Sequence, residues 1–157
     1  MNRETSADSA DGATSSAGRL RHALRLLETA QRHLRVSVAA EVGIGTSELT
    51  ALEAIAESRG LTPKWLGLEL ALSTGAVTAL LDRLAAAGLV ERVSNPQDRR
   101  SVLLRATEPG TALLNRVIER YEAVSVAVLH ASPGLAGEER AEDIARAAAV
   151  ITAHTIH

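Results

Sequence analysis

Between Leu61 and Arg105 the sequence LTPKWLGLELALSTGAVTALLDRLAAAGLVERVSNPQDRRSVLLR passes from helical to extended patterning, and that passage fixes the order of its elements. Thr62 followed by Pro63 reads as a helix start, because proline at the first helical position loses no needed hydrogen bond and presets φ. Leu66 and Leu70 then share one face. Ser73 opens a second helix, its hydroxyl placed to accept from an otherwise orphan N–H near Gly75 or Ala76. Val77, Leu80, Leu81 and Leu84 recur at helical spacing and form a stripe that has to be buried. Gly88 is a left-handed stop, with Leu89 supplying the apolar contact that accompanies such ends. Leu89 to Val93 and Ser101 to Arg105 are strand-forming, and Asn95, Pro96, Gln97 and Asp98 make a turn between them. Helix, tight turn, helix and hairpin in that order predict a mainly α fold, a winged helix-turn-helix with a two-stranded β wing.

The flanks divide the rest. Residues 1–17 are rich in Ser, Thr, Ala and Asp and bury too little apolar surface to order themselves, so they are expected to be a disordered tail. The remaining 18–157 are expected to form one subunit, with the winged region over 46–106 and long helical flanks over 18–45 and 107–157. Leu20, Leu24, Leu27, Leu34 and Val38 lie on one stripe of a helix from Arg19 to about Ala40, and Leu49, Leu52 and Ile55 point inward from a helix over Thr46 to Ser58. Thr107 caps a helix to about Ala131 with Leu114, Val117, Tyr121, Val124 and Val128 at spacings of three and four. Pro133 and Gly134 stop it, and a last helix from Gly137 to Ala153 carries Ile144, Ala148 and Ile151. These terminal helices hold more apolar surface than a small winged domain can cover. No signal-peptide core and no run of roughly 18 apolar residues is found, so a cytoplasmic location without membrane contact is expected.

Charge becomes informative when it is divided. The chain has 17 basic and 19 acidic residues, a net charge of −2. From Arg59 to Arg105 seven basic residues (Arg59, Lys64, Arg83, Arg92, Arg99, Arg100, Arg105) face four acidic ones (Glu69, Asp82, Glu91, Asp98), giving +3 there and −5 elsewhere. Such segregation aims one face at phosphates.

Enzymatic chemistry finds no foothold. There is no nucleophile elbow, phosphate loop or HExxH, and the carboxylates at Glu138, Glu139, Glu142 and Asp143 sit beside arginines as solvated charges. With no cysteine and only the initiator methionine, thiol switching and thiolate metal binding are excluded. His154 and His157 are a metal pair in spacing only, lacking a third ligand, so no metal site and no cofactor is expected.

The run Val77, Thr78, Leu80, Asp82, Arg83, Leu84, Gly88, Leu89, Val90 and Arg92, followed by Asp98 and Arg100, resembles the MarR family of bacterial winged-helix transcriptional regulators. The resemblance is sharpest over Leu61 to Thr107. It implies a homodimer held by the first and last helices, which would consume the excess apolar surface. It also implies double-stranded DNA as partner, bound on a pseudo-palindrome with half-site centres about 10 base pairs apart, and regulation as a repressor. Contacts are expected from Ser73, Thr74, Gly75, Ala76, Thr78, Ala79 and Arg83 on the second helix and from Asp98, Arg99 and Arg100 on the wing. Arg100 would enter the minor groove with Asp98 orienting it by a charge-assisted hydrogen bond. The chain departs from the family pattern at Ala79, where a basic residue is usual, and at Ala71, where the turn usually has glycine. Direct base readout is therefore thin, since only Thr74, Thr78 and Arg83 offer hydrogen-bonding groups. The resemblance further implies a small aromatic or organic-acid effector, for which His22, Arg25, His33, Trp65 and Tyr121 are candidate contacts. The alternative is a winged-helix protein-protein interaction module that does not touch DNA, which would have no need of the arginines behind Asp98.

Overall fold

A computed structural model describes residues 4–58, 60–98 and 100–155. The elements are α1 (Glu4–Glu41), α2 (Thr46–Glu57), α3 (Pro63–Glu69), α4 (Thr74–Ala86), β1 (Val90–Ser94), β2 (Val102–Ala106), α5 (Glu108–Ala131), a 3-10 turn (Pro133–Leu135) and α6 (Glu138–Thr155). They fall into two compact units, residues 1–114 and 115–157. Among the described residues no helix is long and apolar enough to cross a membrane.

The core of the first unit is the set of leucine stripes visible in the sequence. Leu49, Leu52 and Ile55 of α2, Leu66 of α3, and Val77, Leu80, Leu81 and Leu84 of α4 are buried, together with Val90 and Leu104 of the hairpin. Burying each such side chain contributes roughly 1.5–3 kcal/mol, so these three short helices are held by one another rather than by propensity. At the C-terminal end of α1, Val38 and Ala39 join them. Arg35 reinforces this contact, donating from both terminal nitrogens to one Glu53 oxygen at 2.7 Å. Burial pushes the Glu53 carboxyl above its ordinary range, and the attraction of Arg35 offsets this only in part.

The strands pair antiparallel one residue later than the sequence predicts, with Val90 opposite Ala106 and Ser94 opposite Val102. A third segment joins the sheet: Leu104 donates its N–H to the Leu61 carbonyl at 2.8 Å, an isolated bridge that fastens the entry of α3 to the wing.

Helix α1 is longer than the sequence reading, which kept 1–17 as a disordered tail. It continues to Glu4, since no proline interrupts it and Arg19 donates to the Ser15 and Ser16 hydroxyls one turn back. Much of its apolar stripe is uncovered within the single chain. Leu20, Leu26, Leu27 and Val36 are exposed and Leu24 and Leu34 only half-buried. In the second unit Ile118, Val126, Val128, Leu129 and Ile144 are exposed as well.

Two helix ends close in the same way but with different residues. After α4, Gly88 (φ 70°) donates to the Ala85 carbonyl and Leu89 to Leu84, a Schellman motif. After α3 the same pair of bonds runs from Ala71 to Leu68 and from Leu72 to Gly67, but the left-handed position is Ala71, at φ 51°. A Cβ in this conformation costs roughly 1–2 kcal/mol. Ala71→Gly should therefore stabilise the chain by about 1 kcal/mol after the entropy of the freer unfolded glycine is subtracted, raising the melting temperature by about 2–4 °C. A fall in melting temperature on calorimetry would show that the turn carries no such strain.

Candidate nucleic-acid interface

Helix α3 starts as its sequence dictates, the Thr62 hydroxyl accepting the Trp65 N–H at 3.3 Å with Pro63 at the first turn. In α4 the Ser73 hydroxyl accepts the Ala76 N–H at 3.3 Å. The buried stripe then turns the opposite face outward, so Ser73, Thr74, Gly75, Ala76, Thr78, Ala79 and Arg83 are all exposed. Gly67 lets the two helices approach: a Cβ there would lie 3.1 Å from a Val77 methyl.

The chemistry of that face is sparser than its residue types suggest. The Thr78 hydroxyl donates to the Thr74 carbonyl at 3.0 Å, leaving only lone pairs and a methyl to offer a base edge. Arg83 is not an unengaged cation. Its Nε donates to Glu48 of α2 at 2.5 Å, and the other Glu48 oxygen accepts the Gly45 N–H at 2.7 Å. The Arg83 guanidinium and then the Gly45 N–H hold the Glu48 carboxyl below its ordinary range. Asp82, also outward, accepts from Arg92 of β1 at 2.8 Å, tying α4 to the wing. Neither pair was foreseen, because the partners lie 35 and 10 residues apart in the sequence.

At the wing tip the short polar residues fold the backbone onto itself. Asn95 donates twice to Ser101, from its side-chain amide to the hydroxyl and from its N–H to the carbonyl, and its side-chain oxygen accepts the Gln97 N–H at 3.0 Å. Asp98 accepts the Arg100 backbone N–H at 3.0 Å. This corrects the expected mechanism: Asp98 orients the peptide beneath Arg100 rather than its guanidinium. Arg100 is exposed, and its guanidinium makes no ion pair among the described residues. Arg99 lies outside the described residues.

The expected effector contacts lie on three elements, α1, α3 and α5. His22, Arg25 and His33 are exposed along α1, Trp65 is 63% exposed on α3, and Tyr121 is half-buried in the second unit. An open cleft of about 480 Å³ lies between the start of α3 and the wing, lined by Thr62, Pro63, Lys64, Asn95, Asp98, Arg100, Ser101 and Val102. The sequence reading missed Lys64 and Asn95 there because only the folded hairpin brings the wing against α3. Among the described residues no group of three or more His, Asp or Glu could hold a metal ion, and His157 lies outside them.

Three core helices, a two-helix turn with an outward second helix, and a hairpin braced against it make this a winged helix-turn-helix protein. Residues 42–101 match the model of the MarR family. The chain is 40% identical over 68 residues to the uncharacterised HTH-type transcriptional regulator YcgE of Bacillus subtilis, covering 43% of this chain and 44% of that one. It spans less than half the length of the first curated relatives it matches. Its fold is similar over nearly its whole length to a MarR family protein from Bacillus stearothermophilus, at a TM-score of 0.75 and 22% identity, covering 92% and 98% of the two chains. It is also similar to a MepR variant of S. aureus bound to an oligodeoxyribonucleotide, at a TM-score of 0.63 and 16% identity over 87% and 97%. The similarity to the MarR family thus lies in residues 42–101, while the likeness of the solved structures extends the fold over most of the chain.

Proposed function

We propose that the chain is a DNA-binding transcriptional regulator that acts as a homodimeric repressor on a pseudo-palindromic operator. The observation that carries this is the pairing of a capped, outward α4 whose exposed face is built of small residues with a wing tip whose backbone is locked while Arg100 stays unengaged. Small side chains let the helix approach base edges and thymine methyls closely, and an arginine on a rigid tip reads groove width and potential. The match of residues 42–101 to the MarR family model and the oligonucleotide held by the structurally similar MepR variant support this reading. Exposed apolar side chains on α1, α5 and α6 support a second copy as the partner that covers them. A small organic anion is the effector class proposed, with the cleft lined by Lys64, Asp98 and Arg100 as a place for it beside the residues expected from the sequence. A cytoplasmic, nucleoid-associated protein without catalytic activity follows.

The test is an anisotropy titration of a labelled duplex from the intergenic region upstream of the chain's own gene. Binding should saturate at two chains per duplex and weaken with salt, log affinity falling by about 0.9 per phosphate neutralised for each unit of log salt. Absence of binding at low salt would replace this reading with that of a protein-protein interaction module.

A further inference from the structure

Glu48 uses both of its oxygens. One is anchored by the Gly45 N–H across the first turn of α2, and the other accepts from Arg83 Nε on α4. The carboxylate is the covered end of the pair, at 17% side-chain exposure, and the arginine the open end, at 58%. A guanidinium carries five N–H donors, of which Nε holds one. The remaining four sit on the two terminal nitrogens, the edge that makes parallel bonds to a phosphate or to guanine. No other hydrogen bond or ion pair of that guanidinium is formed among the described residues.

We propose that Glu48 is a positioning residue for DNA binding, holding Arg83 through Nε so that its two terminal nitrogens are preset for a bidentate contact with DNA. This rests on the DNA-binding reading above. An unanchored arginine would have to lose its rotamer freedom on contact, whereas this one has lost much of it in the free protein. A carboxylate near DNA also repels phosphates, so Glu48 has a second possible effect of opposite sign. Substitution separates the two.

The experiment compares Glu48→Gln, Glu48→Asp and Arg83→Ala, singly and as double variants, titrating the full chain with the upstream duplex and with a scrambled duplex. Glu48→Asp keeps the charge but shortens the side chain, withdrawing the carboxylate from Arg83 and from the Gly45 N–H, so it controls for net charge. Either Glu48 variant should weaken binding by about fivefold, the order expected for releasing one ordered side chain, and should have no such effect once Arg83 is alanine. Unchanged melting temperatures establish that the fold is kept. Tighter binding by Glu48→Gln would make Glu48 a competitor for Arg83 and overturn the proposal, as would an equal loss with and without Arg83. If the unsubstituted chain binds neither duplex at low salt, the DNA-binding reading itself fails and this inference falls with it.

Discussion

Arg100→Ala should lower affinity for the upstream duplex by tenfold or more while leaving the melting temperature within about 2 °C of the parent. The arginines around α4 are unequal in the structure. Arg83 is held by Glu48 and Arg92 by Asp82, so part of the attraction each could offer DNA is already compensated. Arg100 has no such partner among the described residues, and the Asp98 carboxylate and Asn95–Ser101 bonds fix the backbone beneath it. A charge on a preset tip forms its contact with little ordering cost. Losing one arginine contact costs roughly 1–3 kcal/mol, about 5- to 150-fold, and a dimer loses two. Stability should not follow, because among the described residues the exposed guanidinium makes no ion pair or hydrogen bond. The decisive measurement is the affinity of Arg100→Ala over a salt series. Full affinity with an unchanged salt slope would remove the wing from the interface. An unfolded variant would show instead that Arg100 is structural.

The parts of this fold that depend on periodicity were legible in the sequence, and those that depend on partners were not. The leucine stripes of α2 and α4, the Thr62, Ser73 and Thr107 caps and the Gly88 stop each have a local cause, and each is found in place. The strand bounds differ by one residue because composition locates a hairpin without fixing where its pairing begins and ends. The departure at Ala71 was visible as a residue type, yet only the φ of 51° shows that alanine occupies the left-handed position rather than reshaping the turn. The outward direction of Arg83 was legible from helical position, but not the Glu48 carboxylate from another helix that meets it. The Asp98 contact was assigned to the correct residue and the wrong atom, since a short carboxylate reaches its neighbour's N–H more readily than a long side chain's tip. The sequence reading assigned no role to Gly110, a glycine in the first turn of a helix.

Gly110→Ala should destabilise the chain by about 3 kcal/mol or more, lowering the melting temperature by about 6–12 °C. By helix propensity alone the sign would be the reverse, since alanine is favoured over glycine by about 1 kcal/mol in a helix interior. The difference is the neighbour. A Cβ on Gly110 would overlap the Leu89 carbonyl oxygen and lie 3.4 Å from a Leu52 methyl. That carbonyl cannot easily give way: it accepts the Thr107 N–H at 3.0 Å, while the Thr107 hydroxyl donates to the Gly88 carbonyl at 2.6 Å and accepts the Gly110 N–H at 3.1 Å. Leu89 is buried and its own N–H closes the end of α4 on Leu84. Moving any member breaks either the cap of α5 or the stop of α4. Gly18→Ala is the control, a helical glycine with nothing within 4 Å, and it should leave the melting temperature unchanged or raise it. If both variants melt alike, the Leu89 peptide relaxes at no cost and the junction is not rigid. If Gly110→Ala alone falls, the exit of α4 is fixed to the start of α5 by backbone contact, and only glycine permits that approach.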